Sequence, residues 1–252
     1  MSNQDVNNAR FTEEAAAWDS NAKHVESTDK AFEAIKRYVP AWDERCKSFN
    51  VLEVGSGTGL LSYKIAPHVR SLVGVDTADG MIAAFNDKLA ALPDDPPPNL
   101  CAINHLLTSA DSPALQGAAA ALATEMGEKS HPPYRFDLII SHLTLHHIPS
   151  MPEIFKTLHA CLKHGGMIAV TDYEDYGDEA VKFHPEAKRP GVERHGIRVQ
   201  EAQEVMIGTG FNEVVVEKAF VLRKEVAAED GKPAAEMDFP FLMCYGVKSW
   251  DA

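Results

Sequence analysis

The stretch Val51-Leu52-Glu53-Val54-Gly55-Ser56-Gly57-Thr58-Gly59 constrains this chain more than any other. An apolar run of strand length stops at three alternating glycines and passes into Leu60 to Ala66, a segment of helical character. Glycine has no Cβ, so it takes positive φ and lets a ligand come close to the backbone. A helix that follows such a turn directs its free N–H groups at whatever lies there. The spacing therefore predicts a buried strand, a ligand-binding turn and a helix. That is the opening unit of a doubly wound α/β sheet, with a nucleotide-like cofactor at the carboxyl end of a strand.

The details of the turn bear on which cofactor. A dinucleotide fingerprint, G-x-G-x-x-G, needs its third glycine where this chain has Leu60. The acid Glu53 would also stand close to a pyrophosphate, which is a poor place for an anion. It is a good place for a cationic sulfonium ligand that carries an amino group. The next strand, Ser71-Leu72-Val73-Gly74-Val75-Asp76, ends in a carboxylate suited to two ribose hydroxyls.

The motif Glu53-x-Gly55-x-Gly57-x-Gly59 followed by the strand-terminal Asp76 resembles the class I S-adenosylmethionine-dependent methyltransferases. Phe136-Asp137-Leu138-Ile139-Ile140-Ser141-His142 resembles the family's fourth-strand motif. Leu158 to Val170 resembles its LKPGG turn and fifth strand, with His164 where proline is usual. The likeness covers roughly residues 45 to 175. It implies a Rossmann-like seven-stranded α/β sheet, mostly parallel with an antiparallel C-terminal hairpin, and S-adenosylmethionine as cofactor, leaving as S-adenosylhomocysteine. It also implies that Gly55, Gly57 and Gly59 line the methionine moiety, that Glu53 receives the ammonium and that Asp76 holds the ribose. For the adenine the chain departs from the family pattern, and His105 and Leu106 are the candidates, with Asp111 further on. Ser141 and His142 are expected beneath the cofactor's sulfur, and His146 and His147 at the start of the next helix in a packing or capping role.

Composition narrows the partners. The formal charge of −13 and pI near 5.3 repel a phosphate backbone, so no nucleic-acid partner is expected. The densest basic run, Lys182, Lys188, Arg189, Arg194 and Arg198, reads as a solvated loop. Cysteines 46, 101, 161 and 244 form no C-x-x-C pair and have no zinc-ligand spacing. No metal cluster is read from the sequence. No stretch approaches the roughly 18 apolar residues that span a bilayer, so no membrane partner is expected. The expectation is a cytoplasmic monomer or homodimer acting on a small molecule.

Along the chain, residues 1 to about 10 read as polar and mobile. Phe11 to Trp18 and Ser27 to Tyr38 read as helices, the second capped by Ser27 or Thr28. Strands are expected near Asn50–Val54, Leu72–Asp76, Leu100–His105, Phe136–Ser141 and Met167–Asp172, alternating with helices. A helix near Gln200–Gly208 precedes long strands near Asn212–Arg223 and Phe239–Lys248, joined by the polar turn Glu229–Lys232. The domain reading is an N-terminal helical lid over residues 1–45 and a single domain over 46–252. Within it lie an Ala/Pro-rich insertion at about 93–134, containing the stiff Pro93–Pro98 connector and an Ala114–Met126 helix, and a substrate loop at about 173–198.

The segment Phe11-x-x-x-x-Ala16-x-Trp18-Asp19 resembles the lid of ubiquinone-biosynthesis-type methyltransferases. It implies Trp18 against the cofactor and Phe11 against the substrate; the alternative is an amphipathic helix burying both in the core. Substrate contacts are expected from Tyr173, Tyr176 and Phe239, with His184 or His195 as a base. Stretches 171–177 and 183–197 look like fungal small-molecule methyltransferases, some of which S-methylate dithiols as in gliotoxin-type detoxification. A thiol ionises near pH 8.5, whereas a phenol near 10 needs a positioned base. O-methylation of a phenol, a methyltransferase-like regulatory subunit working through a protein partner, and a nicotinamide oxidoreductase stand as alternatives.

Overall fold

The computed structural model describes residues 2–93, 98–129, 131–229, 231 and 233–250. Asp94–Pro97 of the proline-rich connector, and Asp230 and Lys232 of the expected polar turn, lie outside them. Among the described residues seven strands form one sheet: β1 (Asn50–Val54), β2 (Ser71–Asp76), β3 (Leu100–Asn104), β4 (Phe136–His142), β5 (Leu162–Tyr173), β6 (Phe211–Val226) and β7 (Ala235–Lys248). Their order is β3-β2-β1-β4-β5-β7-β6. Strands β1 to β5 pair in parallel, and β7 runs antiparallel between β5 and β6.

The helices are α1 (Asn3–Trp18), α2 (Ala22–Tyr38), α3 (Trp42–Arg45), α4 (Ser62–Ile65), α5 (Asp79–Ala90), α6 (Pro113–Glu125), α7 (Met151–Cys161) and α8 (Val199–Thr209). The strands are apolar on both faces because helices cover both. Side chains alternate across a strand. Leu52, Val73, Ile139 and Ile168 therefore pack toward Leu115, Phe155 and Met206 of α6, α7 and α8. Val51, Leu72, Leu138 and Met167 pack on the other side with Ile35 of α2, Ile65 of α4 and Phe85 of α5.

Several boundaries differ from those expected. Helix α1 begins at Asn3, not Phe11, because Ser2 and Asp5 form a capping box: Asp5 N–H donates to Ser2 Oγ and Ser2 N–H to Asp5 Oδ2. Asn21 caps α2 by accepting from Lys23 N–H. Ser27 and Thr28 sit buried inside that helix, their hydroxyls donating back to the His24 carbonyl at 3.0 and 2.8 Å. The helix expected over 60–66 is only the single turn of α4, followed by a 3₁₀ turn containing Pro67. His146 and His147 lie in a 3₁₀ turn, Leu145–His147, ahead of α7, whose cap is Ser150. Strands β6 and β7 extend to 16 and 14 residues, longer than their composition indicated.

Strand order reverses between β1 and β4. The crevice outside the carboxyl ends of those two strands is where such a sheet leaves room for a ligand, and it holds the site.

Candidate functional site

The glycine-rich turn is locked onto β2. Gly55 and Ser56 N–H donate to the Val75 carbonyl at 2.8 and 3.1 Å. Gly57 N–H donates to Asp76 Oδ2 and Ala78 N–H to Oδ1, each at 2.9 Å. The three glycines serve different needs. At Gly55 a Cβ would fall 2.0 Å from Thr144 Oγ1, and at Gly59 2.6 Å from the Phe85 ring. At Gly57 the φ is +54° and the nearest atom to a Cβ is Met81 Sδ at 3.9 Å, so that position faces open space. Packing explains two of the glycines; the cavity explains the third.

Glu53 is 2 % exposed and accepts a hydrogen bond from Ser62 Oγ at the start of α4. Burial pushes its carboxyl up to about 8; the Ser62 bond opposes this and the Asp76 charge adds to it. The Asp76 carboxyl is likewise raised by burial, against the N–H groups of Ala78, Gly57 and Thr77. A buried and a half-buried acid at the mouth of one turn are costly without a cationic or hydroxyl-rich ligand to compensate them.

Both open on a cavity of about 1180 Å³. Helix α1 roofs it with Gln4, Asn7, Phe11, Glu14 and Trp18, spaced three or four apart along one helical face. The roof is fastened. Asn7 donates to the Gly191 carbonyl at 2.8 Å, Gln4 to Thr77 Oγ1 at 2.9 Å, and Lys188 pairs with Glu14 at 2.7 Å. Phe11 stands edge-on to Trp18 and to His147, with centroids 5.6 and 5.2 Å apart.

The end of the cavity beneath the roof collects imidazoles and cations. His146, 1 % exposed, has Nδ1 2.8 Å from Asp172 Oδ1, and its Nε2 has no partner. The His146 ring lies 3.9 Å from that of His147 and 5.1 Å from that of His184, centroid to centroid. Burial drives His184 down to about 2, aided by His146, Arg10 and Lys224, and holds His147 well below its ordinary value. An imidazole that acidic when protonated is a weak proton acceptor at neutral pH. Lys224 donates to the Phe183 carbonyl at 2.7 Å and Arg10 to the Lys188 carbonyl at 2.5 Å. Neither has a carboxylate partner among the described residues. Burial, with Lys188 and Lys23 nearby, pulls Lys224 down to about 8.

Of the residues singled out from sequence, Phe11, Trp18, Glu53, Gly55, Gly57, Asp76, His105, Leu106, His142 and His184 line this one cavity. Leu106 offers an exposed apolar face, 55 % accessible, and His105 Nε2 lies 2.9 Å from Ser112 Oγ. His142 Nδ1 lies 2.8 Å from Thr171 Oγ1, and burial pushes this imidazole down to about 4. Others are placed away from the cavity. Gly59 faces Phe85 and Tyr63. The Ser141 hydroxyl donates to the Val54 carbonyl at 2.6 Å, tying β4 to β1. Tyr173 and Phe239 are fully buried core residues, Tyr173 stacked on Phe183 at 4.1 Å and Phe239 edge-on to it. Tyr176 is exposed outside the cavity, and His195 also lies off its wall. Tyr173 closes β5 and Phe239 lies within the neighbouring β7, where both are drawn into one buried cluster with Phe183. The cations Arg10 and Lys224 and the His146–Asp172 pair were missed. Paired histidines just after β4 and an acid at the end of β5 were the available signal, because parallel pairing of these strands sets His142 opposite Thr171.

A family model described as a methyltransferase domain matches residues 8–203. An uncharacterised methyltransferase of Schizosaccharomyces pombe is 28% identical over 153 residues, covering 58% of this chain and 47% of that protein. A phosphoethanolamine N-methyltransferase of Triticum aestivum is 26% identical over 229 residues, covering 87% of this chain and 39% of the relative. The chain thus spans less than half the length of these curated relatives. Among solved structures, a DhpI complex with S-adenosylhomocysteine superposes with TM-score 0.61 at 16% identity, over 96% of this chain and 95% of the other. Magnesium protoporphyrin IX methyltransferase from Synechocystis with bound S-adenosylmethionine gives 0.60 at 12%, over 99% and 98%. At these identities the structures speak for the fold.

Proposed function

The chain belongs to the methyltransferase-domain family, an S-adenosylmethionine-dependent enzyme, and on that footing we propose that its acceptor is a small thiol or dithiol held beneath α1. In this reading Gly55 and Gly57 face the methionine moiety, Glu53 takes the ammonium and Asp76 the ribose hydroxyls. Leu106 and His105 flank the adenine, and residues 1–45 act as a lid.

The observation that carries the thiol reading is the pair Arg10 and Lys224, cations that line the cavity and make no ion pair among the described residues, although Glu14 lies within electrostatic reach of Arg10. An anion that forms there is stabilised on arrival. A thiol with a pKa near 8.5 ionises readily beside such charges and is intrinsically nucleophilic. Methyl transfer is then an in-line displacement: the thiolate sulfur bonds the methyl carbon as the bond to the sulfonium sulfur breaks, and S-adenosylhomocysteine leaves. The site contributes attack geometry and water exclusion. A secondary-metabolite dithiol of the gliotoxin kind fits this description. A roofed cavity favours a small molecule over a protein side chain, and the intact acids of the cofactor turn argue against a regulatory subunit.

One observation favours a second reading. Lys188 and Lys23 lie close enough to Lys224 to lower its pKa, and all three line the cavity, a set of cations that would also receive the phosphate of a phosphorylated amine. That is the kind of acceptor named in the plant relatives. Incubating the protein with S-adenosylmethionine and matched dithiols, monothiols, phenols and phosphoethanolamine, followed by mass spectrometry, separates these readings. Methylation of thiols that survives His184→Ala supports S-methylation by positioning. Methylation of phosphoethanolamine alone, lost in Lys224→Ala, replaces it with the second reading. Methylation of phenols alone, lost in His184→Ala, overturns both.

A further inference from the structure

Three imidazoles meet at the roofed end of the cavity on two separate stretches of chain. His146 and His147 come from the turn after β4, and His184 from the loop after β5. One ring nitrogen of each lies within 4.8 Å of the others. From this juxtaposition we propose that His146, His147 and His184 bind a first-row divalent cation of the zinc type, with an open coordination position toward the cavity.

Each part of such a centre has a counterpart here. The Asp172 carboxylate, fully buried, fixes the Nδ1–H of His146 and so leaves the lone pair on Nε2. That carboxylate–histidine arrangement orients an imidazole for a metal and raises its basicity. Nε2 of His146 and Nδ1 of His147 are buried and have no hydrogen-bond partner. A buried polar nitrogen left unpaired is unfavourable, and two on neighbouring rings that line one cavity call for a shared ligand. Neutral imidazoles suit zinc and its neighbours, whereas magnesium and calcium demand oxygen.

The spacing fits with small adjustment. Tetrahedral zinc with bonds of about 2.0–2.1 Å holds its nitrogens about 3.4 Å apart, so ring rotation has to close only the remainder. Arg10 and Lys224 line the same cavity, within electrostatic reach of His184, and oppose a bare cation. They favour one whose open position carries an anion, so metal, Arg10 and Lys224 would face the same ionised acceptor atom. Asp172 supplies the compensating negative charge from behind.

The test reads metal occupancy and is independent of any methyl acceptor. The full chain is treated with chelator and dialysed against micromolar Zn²⁺, and separately Co²⁺, with bound metal counted by elemental mass spectrometry. The expected result is one equivalent, with Co²⁺ giving the visible absorption of a tetrahedral site. His147→Ala and His184→Ala should each weaken binding at least tenfold, while His131→Ala, an exposed histidine outside the site, leaves it unchanged. Thermal melting of each variant separates a lost ligand from a lost fold. Should His147→Ala fail to fold, His184→Ala alone decides. The proposal is overturned if no saturable binding occurs, or if folded variants bind as tightly as the parent.

Discussion

Asp172 Oδ2 accepts the backbone N–H of His146 at 3.0 Å while Oδ1 lies 2.8 Å from Nδ1 of the same ring. One carboxylate therefore sets both the position of the turn after β4 and the orientation of the imidazole. Removing it in Asp172→Ala strands three buried donors, the His146 N–H, the His146 Nδ1–H and the Tyr173 N–H, each worth roughly 1–3 kcal/mol. Urea unfolding should show a loss of at least about 2 kcal/mol. Asp172→Asn keeps the volume and an acceptor and should cost less. Equal stability of parent and alanine variant would refute this account.

The alternating glycines should separate by function. Gly59→Ala drives a Cβ into Phe85 and Tyr63 at a φ of +89°, so it should lower the melting temperature markedly. Gly57→Ala meets nothing closer than 3.9 Å and suffers mainly from its φ, costing about 1 kcal/mol. Its Cβ projects into the space assigned to the cofactor. Calorimetry should find S-adenosylmethionine binding weakened far more by Gly57→Ala than its melting temperature predicts. Normal binding in that variant would remove the cofactor from Gly57.

With Glu53 in its proposed place against the ammonium, cofactor affinity should depend on pH. The free protein holds this carboxyl protonated up to about 8, whereas the ammonium requires the carboxylate. Binding below pH 8 therefore releases a proton, and the dissociation constant should fall with rising pH between 6 and 7.5, by at most tenfold per unit. The stability of the unliganded protein moves the other way. The folded chain keeps a proton that the unfolded chain loses near 4.5, so this group's contribution is full below that value and fades as pH rises through about 8. Glu53→Gln should flatten both dependences, and titration calorimetry at several pH values is the check.

His142 is depressed to about 4 by burial. The unfolded chain takes up this proton near 6.5 and the folded chain does not. Its contribution is therefore full above 6.5 and is lost as pH falls toward 4, by up to about 1.4 kcal/mol per unit. Urea midpoints at pH 7, 6 and 5 should show a smaller acid slope in His142→Gln than in the parent. Identical slopes would exclude His142 as a source.

The sheet was legible because its strands are short apolar runs, and the turn at 55–59 announces itself by composition. The lengths of β6 and β7 were not legible. Lys224 and Glu225, and Glu236 and Asp238 across from them, fall outside the expected strands because they are polar, yet they continue the ladder at a sheet edge. Helix α1 was shortened in the sequence reading because Asn3–Asn8 lack apolar periodicity; its stability comes from a capping box and from polar bonds to Thr77 and Gly191. At the site, Glu53, Gly55, Gly57 and Asp76 come to one cavity because a strand, its turn and the next strand set them locally. Tyr173 and Phe239 turn into the core, and Arg10 and Lys224 line the cavity, because which face of a strand or helix is inward depends on distant elements. Arg10 and Lys224 are separated by most of the chain.

At the far end of α1, Asp19 accepts from Thr58 Oγ1 at 2.5 Å and pairs with Lys88 Nζ at 2.6 Å. The roof is thus bonded to the very turn that opens on the cavity. In the reading of residues 1–45 as a lid, exchange of spent cofactor and entry of acceptor share one gate, and Asp19 is its latch. Loosening that latch, rather than altering the chemistry beneath it, is then the change that would set the pace of exchange.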